Sequence, residues 1–370
     1  MSKTLDVVVG AQFGSEAKGH VVQRLTERLQ PGGMPQVVRV AGPNAGHTGY
    51  DAGGQPWALR QVPVAAVTDG PAVLGIAAGS EIDLPVLLDE YDRLRDAGLM
   101  RNKMLWVHGE ATMITDLHKQ IEAGGLMRDP VAQAVYPDLV KQIGSTGKGI
   151  GAARASRIMR ESGYRLVDNP SAMEHLEDRG IAIARHDHRT ASLHEHTIIE
   201  GTQGYGLGLH AGFYPQCTSS NCRAVDFMAM AGIHPWEFEK TRVWAVARMF
   251  PIRVAGNSGP LRNETTWEEL GLPEEHTTVT KKVRRVGYPD WELVRQAVQA
   301  NGGAPTVRLA ITMADQMFPN MRDCTFDELD GEDWRHFDQY KSEIERQTHA
   351  QVGLVTTGPN KANFIYPGMA

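Results

Sequence analysis

Residues Val7–His20, VVVGAQFGSEAKGH, decide how this chain is read. The apolar run Leu5–Val9 passes into a glycine-spaced loop, and Val21, Val22, Leu25 and Leu29 then recur at helical spacing. Strand, glycine loop, lysine and helix make a phosphate cradle. Backbone N–H groups of such a loop point at an anion, and the helix N-terminus adds its dipole. The loop departs from a regular Walker loop, because Gly19 and His20 follow Lys18 and the hydroxyl that usually takes magnesium is missing. An ordinary strand-to-helix turn has the same glycine spacing, so the rest of the chain has to separate the two.

Outward from this stretch, strand and helix patterns alternate. Val37–Val40, Ala72–Ile76, Met104–Val107, Ile181–Ala184, Thr197–Ile199, Val243–Ala247 and Val307–Ile311 read as strands, several of them apolar on both faces. Leu84–Ala97, Arg154–Glu161, Pro289–Ala300 and Phe337–Gln347 read as helices, with Pro289 at a helix start. The alternation predicts an α/β fold, a mostly parallel central sheet flanked by helices, with ligands at the carboxyl ends of the strands. No repeat or composition break divides the chain, so one domain over 1–370 is expected, with a helical insertion at about 110–180.

Composition narrows the class. The 370 residues are 41% hydrophobic, enough for a sizeable core. A net charge of −6 argues against a nucleic-acid partner. Leu5–Val9 is too short and lacks the basic flank of a signal peptide, and no stretch is long enough to span a membrane. Cys217, Cys222 and Cys324 form no CxxC pair, which suits a reducing cytoplasm.

Four more loops carry candidate chemistry. Gly42-Pro43-Asn44-Ala45-Gly46-His47-Thr48 sets a histidine among small residues after a strand. Gly144-Ser145-Thr146-Gly147-Lys148-Gly149-Ile150-Gly151 could hold a phosphate through N–H and O–H donors, or be a plain surface loop. Arg154, Arg157 and Arg160 follow it at spacing three, on a face that is solvated or reaches an anion on a neighbouring subunit. Glu200-Gly201-Thr202-Gln203-Gly204 offers an amide to a flat heterocycle or an oxyanion. Thr218-Ser219-Ser220-Asn221 is rich in hydroxyls and reads alone as a helix cap. Thr277–Arg285 packs four cations and three threonines into nine residues, a pattern for a dicarboxylate or phosphate, or for a solvated basic loop. Together these loops imply a site for two nucleotides, or for a nucleotide and a second anion.

The motifs GAQFGSEAKG, GPNAGHT, GSTGKGIG, EGTQG with YPQCTSSN, TTVTKKVRRVG and TTGP stand in an order and spacing that resembles the adenylosuccinate synthetases. That resemblance implies two steps. A nucleoside triphosphate phosphorylates the 6-oxygen of a purine monophosphate, and the amine of aspartate then displaces the phosphate. The implied catalytic residues are Ser15, Lys18, His47 and Gln203. The donor nucleotide would lie on Gly14, Ser15, Glu16, Ala17, Lys18, Gly19, Gly46, His47, Thr48, Asp315, Thr357 and Gly358. The purine monophosphate would meet Ser15, Asn44, Ser145, Thr146, Gln203, Thr218 and Val254, with Arg160 reaching it across a homodimer. Aspartate would meet Thr278, Val279, Thr280, Lys282 and Arg284, and Mg2+ would meet Ser15 and the Gly46 carbonyl.

Three departures from the family pattern shape the substrate expectation. Ser15 stands where the family usually has an aspartate that serves as general base on ring nitrogen 1 and as a magnesium ligand; a serine hydroxyl cannot hold that charge at neutral pH. Serine leaves room for a 2-amino group, so the chain resembles a bacteriophage branch that acts on dGMP and leads to 2-aminoadenine. Met313 replaces the lysine of the usual TKLD sequence, here Thr312-Met313-Ala314-Asp315, which favours ATP or dATP over GTP. Lys281-Lys282 replaces glycine and arginine and loses a bidentate fork. Ala17 for glycine is minor provided that φ there is not positive. Two other readings stay open: an ordinary adenylosuccinate synthetase using IMP and GTP, and a non-catalytic nucleotide sensor, which would bind nucleotide without releasing phosphate.

Overall fold

The computed structural model describes residues 3–124, 139–185, 194–277, 281–329, 331–359 and 364–365. Ten strands form the main sheet: β1 (Thr4–Gly10), β2 (Gln36–Arg39), β3 (Ala72–Ile76), β4 (Lys103–His108), β5 (Ala182–Ala184), β6 (His196–Glu200), β7 (Lys240–Arg248), β8 (Val307–Thr312), β9 (Gln351–Thr356) and β10 (Phe364–Ile365). Their spatial order is β10-β9-β8-β7-β1-β6-β2-β3-β4-β5. Every pairing is parallel except that of β9 with β10.

The opening stretch sits at the centre of this sheet. β1 pairs with β6 from Thr4↔His196 and with β7 from Thr4↔Lys240 to Gly10↔Val246. Alternate side chains of β1 enter different cores, as a period of two demands. Leu5, Val7 and Val9 join a cluster with Val243, Ala245 and Leu309, capped by Trp291 and Val294 of the helix Trp291–Ala300 and by Phe337 and Ile344 of the helix Gly331–Thr348. Val8 joins Val37, Ile198 and Val246 on the opposite face, against Val21, Val22 and Leu25 of the helix Lys18–Leu29. Both faces of β1 are therefore dry, which explains an apolar run interrupted only by Asp6, whose buried carboxylate is paired with Arg242 and Trp244.

Several boundaries differ from the sequence expectation. The expected helix Arg154–Glu161 runs instead over Ile150–Ile158, because Gly149 takes a left-handed backbone that starts it and Arg160, at φ 62°, lies beyond its end. Pro289 is outside its helix; Asp290 caps that helix by accepting the Leu293 N–H at 3.2 Å. Asn221 is not a cap either: its Oδ1 accepts the His210 N–H at 3.1 Å, and Arg223 with Asp226 closes the start of Ala224–Ala231. β9 went unread because Gly353 interrupts its apolar pattern. The helices Asp116–Glu122, Leu139–Ile143, Ile150–Ile158 and Pro170–Glu177 lie between β4 and β5. Among the described residues, no helix is long and apolar enough to cross a membrane.

Candidate active site

Sheet order brings the loops together. Parallel strands β8, β7, β1, β6 and β2 are neighbours, so the segments that follow them emerge in a row along one edge. Direct contacts tie that row. Thr312 Oγ1 donates to the Glu16 carbonyl at 3.0 Å, and the Gln12 side chain exchanges two hydrogen bonds with the Arg248 backbone, each 3.0 Å. Thr202 Oγ1 donates to the Val40 carbonyl at 3.1 Å. Gly10 is required by close approach, since a Cβ there would stand 2.4 Å from the Gln203 carbonyl oxygen. Gly19 lets the first helix meet the histidine loop, because its Cβ would lie 2.7 Å from the Thr48 carbonyl and 3.0 Å from His47 Cβ.

The cradle is closed on itself. Glu16, 1% exposed, turns its carboxylate back into the loop, where Oε1 accepts the N–H groups of Gln12 at 3.1 Å and Gly14 at 2.7 Å. Lys18 Nζ lies 2.8 Å from Glu16 Oε2 and donates to the Gly14 carbonyl at 3.1 Å. Glu16 is therefore committed inside the loop and does not stand in for the missing aspartate beside it. Ala17 has φ 59° and ψ 37°, so the condition for a harmless alanine fails: this position favours glycine. Ala17→Gly is expected to raise stability by about 0.5–1 kcal/mol, read as a higher urea midpoint at unchanged slope. Of eight described non-glycine residues with positive φ, five are Ala17, Arg160, Gln203, Lys281 and Met313, all in or beside the candidate loops. Strain of this kind gathers at functional sites.

His47 begins the short strand His47–Tyr50, hairpinned to Pro56–Leu59. Its Nδ1 lies 2.7 Å from Glu200 Oε1, and Arg39 Nη1 bonds to the same carboxylate oxygen. Glu200 Oε2 accepts the Val64 N–H at 2.9 Å, and Arg39 Nη2 donates to the carbonyls of Ala45 at 2.5 Å and Arg60 at 3.2 Å. With Nδ1 turned to Glu200, Nε2 is the ring nitrogen that remains for chemistry. Burial, reinforced by Arg39 and Lys18 and opposed by Glu200, lowers the His47 pKa to about 4. Burial also works against the Glu200 charge, but Arg39 and His47 outweigh it and hold this carboxylate below the usual range.

Across the cradle, Arg284 Nη1 donates to Ser15 Oγ at 3.1 Å. Arg248, at the end of β7 and 1% exposed, donates to the Glu275 carboxylate at 2.5 and 3.2 Å. Lys282 is exposed, and Thr278, Val279 and Thr280 lie outside the described residues. Lys281 has φ 54°, in keeping with the family's glycine at this position.

A second group of segments converges beside the histidine loop. A Cβ on Gly42, whose neighbours include Asn44 Oδ1 at 3.3 Å, would touch Ile150 Cγ1 at 2.7 Å. Asn257 Nδ2 donates to the Gln142 carbonyl at 3.0 Å, and Val254 Cγ2 lies 3.5 Å from where a Gly144 Cβ would stand. Val254 thus lies beside the start of the Ser145–Thr146 loop, Asn44 lies beside the Gly42–Ile150 contact, and Ser219, next to Thr218, approaches Gly151. One expectation is corrected here. The N–H groups of Gly149 and Gly151 are already taken by the buried Glu122 carboxylate, at 2.7 and 2.5 Å, and are not open to a phosphate. Arg154 pairs with Glu81 and Arg157 with Glu110, whereas Arg160 stands exposed without such a pair among the described residues.

The donor-base candidates lie past β8 and β9. The Met313 N–H donates to Thr356 Oγ1 at 3.0 Å, and burial raises the pKa of Asp315. Thr357 is fully buried and its hydroxyl donates to the Cys324 carbonyl at 2.8 Å, so its side chain builds the turn, leaving the half-buried Gly358 beside it. Arg39, Glu200, Arg248, Glu275 and Glu122 were missed from sequence. A charge inside an all-apolar strand, as in QVVRV or WAVARM, was the available signal.

This sheet order and this set of loops match known proteins. The chain matches the adenylosuccinate synthetase family over residues 7–190 and 169–351. It belongs to the adenylosuccinate synthetase family. The Methanocaldococcus jannaschii adenylosuccinate synthetase is 32% identical, over 98% of this chain and 96% of that protein. The N6-succino-2-amino-2'-deoxyadenylate synthase of Vibrio phage phiVC8 is 34% identical, over 77% of this chain and 79% of that protein. Among solved structures, the succinoaminodeoxyadenylate synthetase of cyanophage S-2L, bound to dGMP and dATP as energy donor, superposes with a TM-score of 0.79 at 27% identity, covering 99% of this chain and 96% of that one. The Plasmodium falciparum adenylosuccinate synthetase shares the fold, with a TM-score of 0.76 at 20% identity, covering 98% of this chain and 99% of that one. As a member of this family the protein is a carbon–nitrogen ligase of purine nucleotide synthesis.

Proposed function

We propose that this ligase joins L-aspartate to carbon 6 of dGMP at the expense of ATP or dATP, giving 2-aminodeoxyadenylosuccinate for 2-aminoadenine DNA. The observation that carries this reading is Ser15: a small neutral side chain, hydrogen-bonded to Arg284, stands where the family usually has a carboxylate. A hydroxyl there leaves space for a 2-amino group and can accept its hydrogen bond. The two phage relatives support the same reading through what their names say of them.

In the first step ring nitrogen 1 gives up its proton to solvent, the guanine 6-oxygen attacks the γ-phosphorus, the β–γ anhydride bond breaks and the nucleoside diphosphate leaves. In the second the aspartate amine attacks carbon 6, phosphate departs and the amine gives up its proton. Lys18 would neutralise the moving phosphoryl group, Gln203 would orient the 6-oxygen, and His47 would act as acid and clamp through Nε2. His47 is neutral at rest, and phosphates bound beside it would favour its protonated form.

Mg2+ fits as a companion of the triphosphate. Among the described residues no three His, Cys, Asp or Glu side chains gather as a metal site, and the Glu16 carboxylate is engaged. The exposed Gly46 carbonyl and the Ser15 hydroxyl are the neutral oxygens the chain would add to phosphate and water ligands, and the ion would screen phosphate charge. A homodimer is supported by Ile158 and Met159, 74% and 72% exposed beside the expected partner-reaching Arg160. The three cysteines are unpaired, in keeping with the cytoplasm as the expected compartment.

Relatives named adenylosuccinate synthetase cover nearly the whole chain and favour IMP as the alternative substrate. A matrix of IMP, GMP and dGMP against ATP, dATP and GTP, read as aspartate-dependent phosphate release, separates the readings. Turnover confined to dGMP is expected. Equal rates on IMP, or a clear GTP preference, would sink this assignment, and binding without phosphate release would indicate a sensor.

A further inference from the structure

We infer that Glu275 and Arg248 are a positioning pair for the aspartate loop, locking its neck to the phosphate cradle so that Arg284 stands at Ser15. The inference rests on the reading that the segment between Thr277 and Arg284 receives L-aspartate.

The neck is built by backbone bonds. The Arg284 N–H donates to the Glu275 carbonyl at 2.8 Å, His276 and Val283 form an antiparallel bridge, and the Thr277 N–H donates to the Lys282 carbonyl at 2.9 Å. The Glu275 carboxylate ties this neck to the sheet edge by taking both terminal nitrogens of Arg248, at 2.5 and 3.2 Å. That fork fixes direction as well as distance. Arg248 is itself fixed, because its backbone exchanges two hydrogen bonds with the Gln12 side chain and its Nη1 reaches the Ser15 carbonyl at 3.5 Å. Arg284 then closes a ring by donating to Ser15 Oγ at 3.1 Å. The circuit Gln12, Arg248, Glu275, Arg284, Ser15 joins the cradle to the loop that would grip the amino acid.

Charge explains why the pair is ionic. Burial pulls the Arg284 pKa down, Glu275 supports its charge and Arg248 opposes it. The Glu275 carboxylate is bonded to Arg248 and acts on the Arg284 charge from beyond ion-pair distance. Arg248 Nε is buried with no hydrogen-bond partner among the described residues, which costs stability. An apolar pair of similar volume would hold the sheet edge as well or better. It would not fix the direction of the neck, and so the place of Arg284, as the fork does.

The test is steady-state kinetics of the full-length protein with dGMP, ATP and L-aspartate. Glu275→Gln is expected to raise the aspartate KM by about tenfold, with kcat within about threefold and the other two KM values unmoved. Arg248→Lys, which keeps the charge and loses the fork, should give a smaller rise of the same kind. The double variant Arg248→Met/Glu275→Leu should recover the melting temperature lost by Glu275→Gln while its aspartate KM stays high, since an apolar contact does not fix the direction of the neck. An unchanged aspartate KM in Glu275→Gln, a parallel rise of all three KM values, or a normal aspartate KM in the double variant would each overturn the inference. A wild-type protein that consumes no aspartate with any purine monophosphate would overturn the underlying reading instead.

Discussion

Ser15→Asp is expected to cut turnover of dGMP by about 10²-fold or more and to raise turnover of IMP. Two effects act together. The longer carboxylate would occupy the space left for a 2-amino group, and it would stand at the atom that now accepts from Arg284 at 3.1 Å. A charged pair would replace a neutral hydrogen bond and draw that guanidinium toward position 15. Displacing a substrate by about an ångström costs roughly 10²-fold. The same carboxylate could take the proton from ring nitrogen 1 of IMP, and a positioned base contributes about 10²–10⁴ in rate. Phosphate release with each purine, measured side by side, checks both halves. A variant that keeps its dGMP rate would remove the steric account of substrate choice.

The second large effect belongs to His47. His47→Gln is expected to lower kcat by about 10²–10⁴, the usual worth of a positioned acid, with little change in the KM of aspartate. Glu200→Gln should follow it in direction, because Nδ1 would lose the carboxylate 2.7 Å away that fixes its tautomer. The same residue carries a stability signature. The folded pKa near 4 lies below the ordinary value of 6.5, so the unfolded chain takes up a proton that the folded chain refuses. Stability from this group is complete above about pH 6.5 and is lost as pH falls toward 4, by about 3 kcal/mol in all. Urea titrations at pH 7 and pH 4.5 should show a smaller acid loss in His47→Gln than in the wild type.

The loops that bear glycine and hydroxyl groups were legible because their composition reports backbone geometry. Gly10 and Gly19 mark places where two segments touch, and such places survive in a one-letter string. The neutral candidates came by two routes, Gln203 from its place between glycines and Ser15 from the family resemblance, which sets an aspartate at its position. The charged supports were not. Arg39 and Glu200 meet across 161 positions of sequence, and Arg248 meets Glu275 only after β7 has been placed beside β1. The apolar runs around Arg39 and Arg248 signal a buried charge, but nothing local names its partner. Thr357 shows the opposite failure: a motif residue expected to face a ligand is wholly buried, because a hydroxyl serves a turn as readily as a substrate. The ends of Ile150–Ile158 were displaced because Arg154, Arg157 and Arg160 mimic a helical face that the chain leaves before Arg160.

The carboxylate of Glu16 has a consequence for what this site admits. It already occupies two cradle N–H groups and the Lys18 ammonium, so the loop at rest is electrically neutral. If a phosphate is to use those two N–H groups or the Lys18 ammonium, it must take them by exchange from a resident anion that is covalently present at all times. Against such a competitor a lone inorganic phosphate would gain little, whereas a nucleotide held at the same time by its base and sugar would shift the balance. The cradle would then act as a valve with an internal plug, which favours ligands anchored elsewhere over free phosphate.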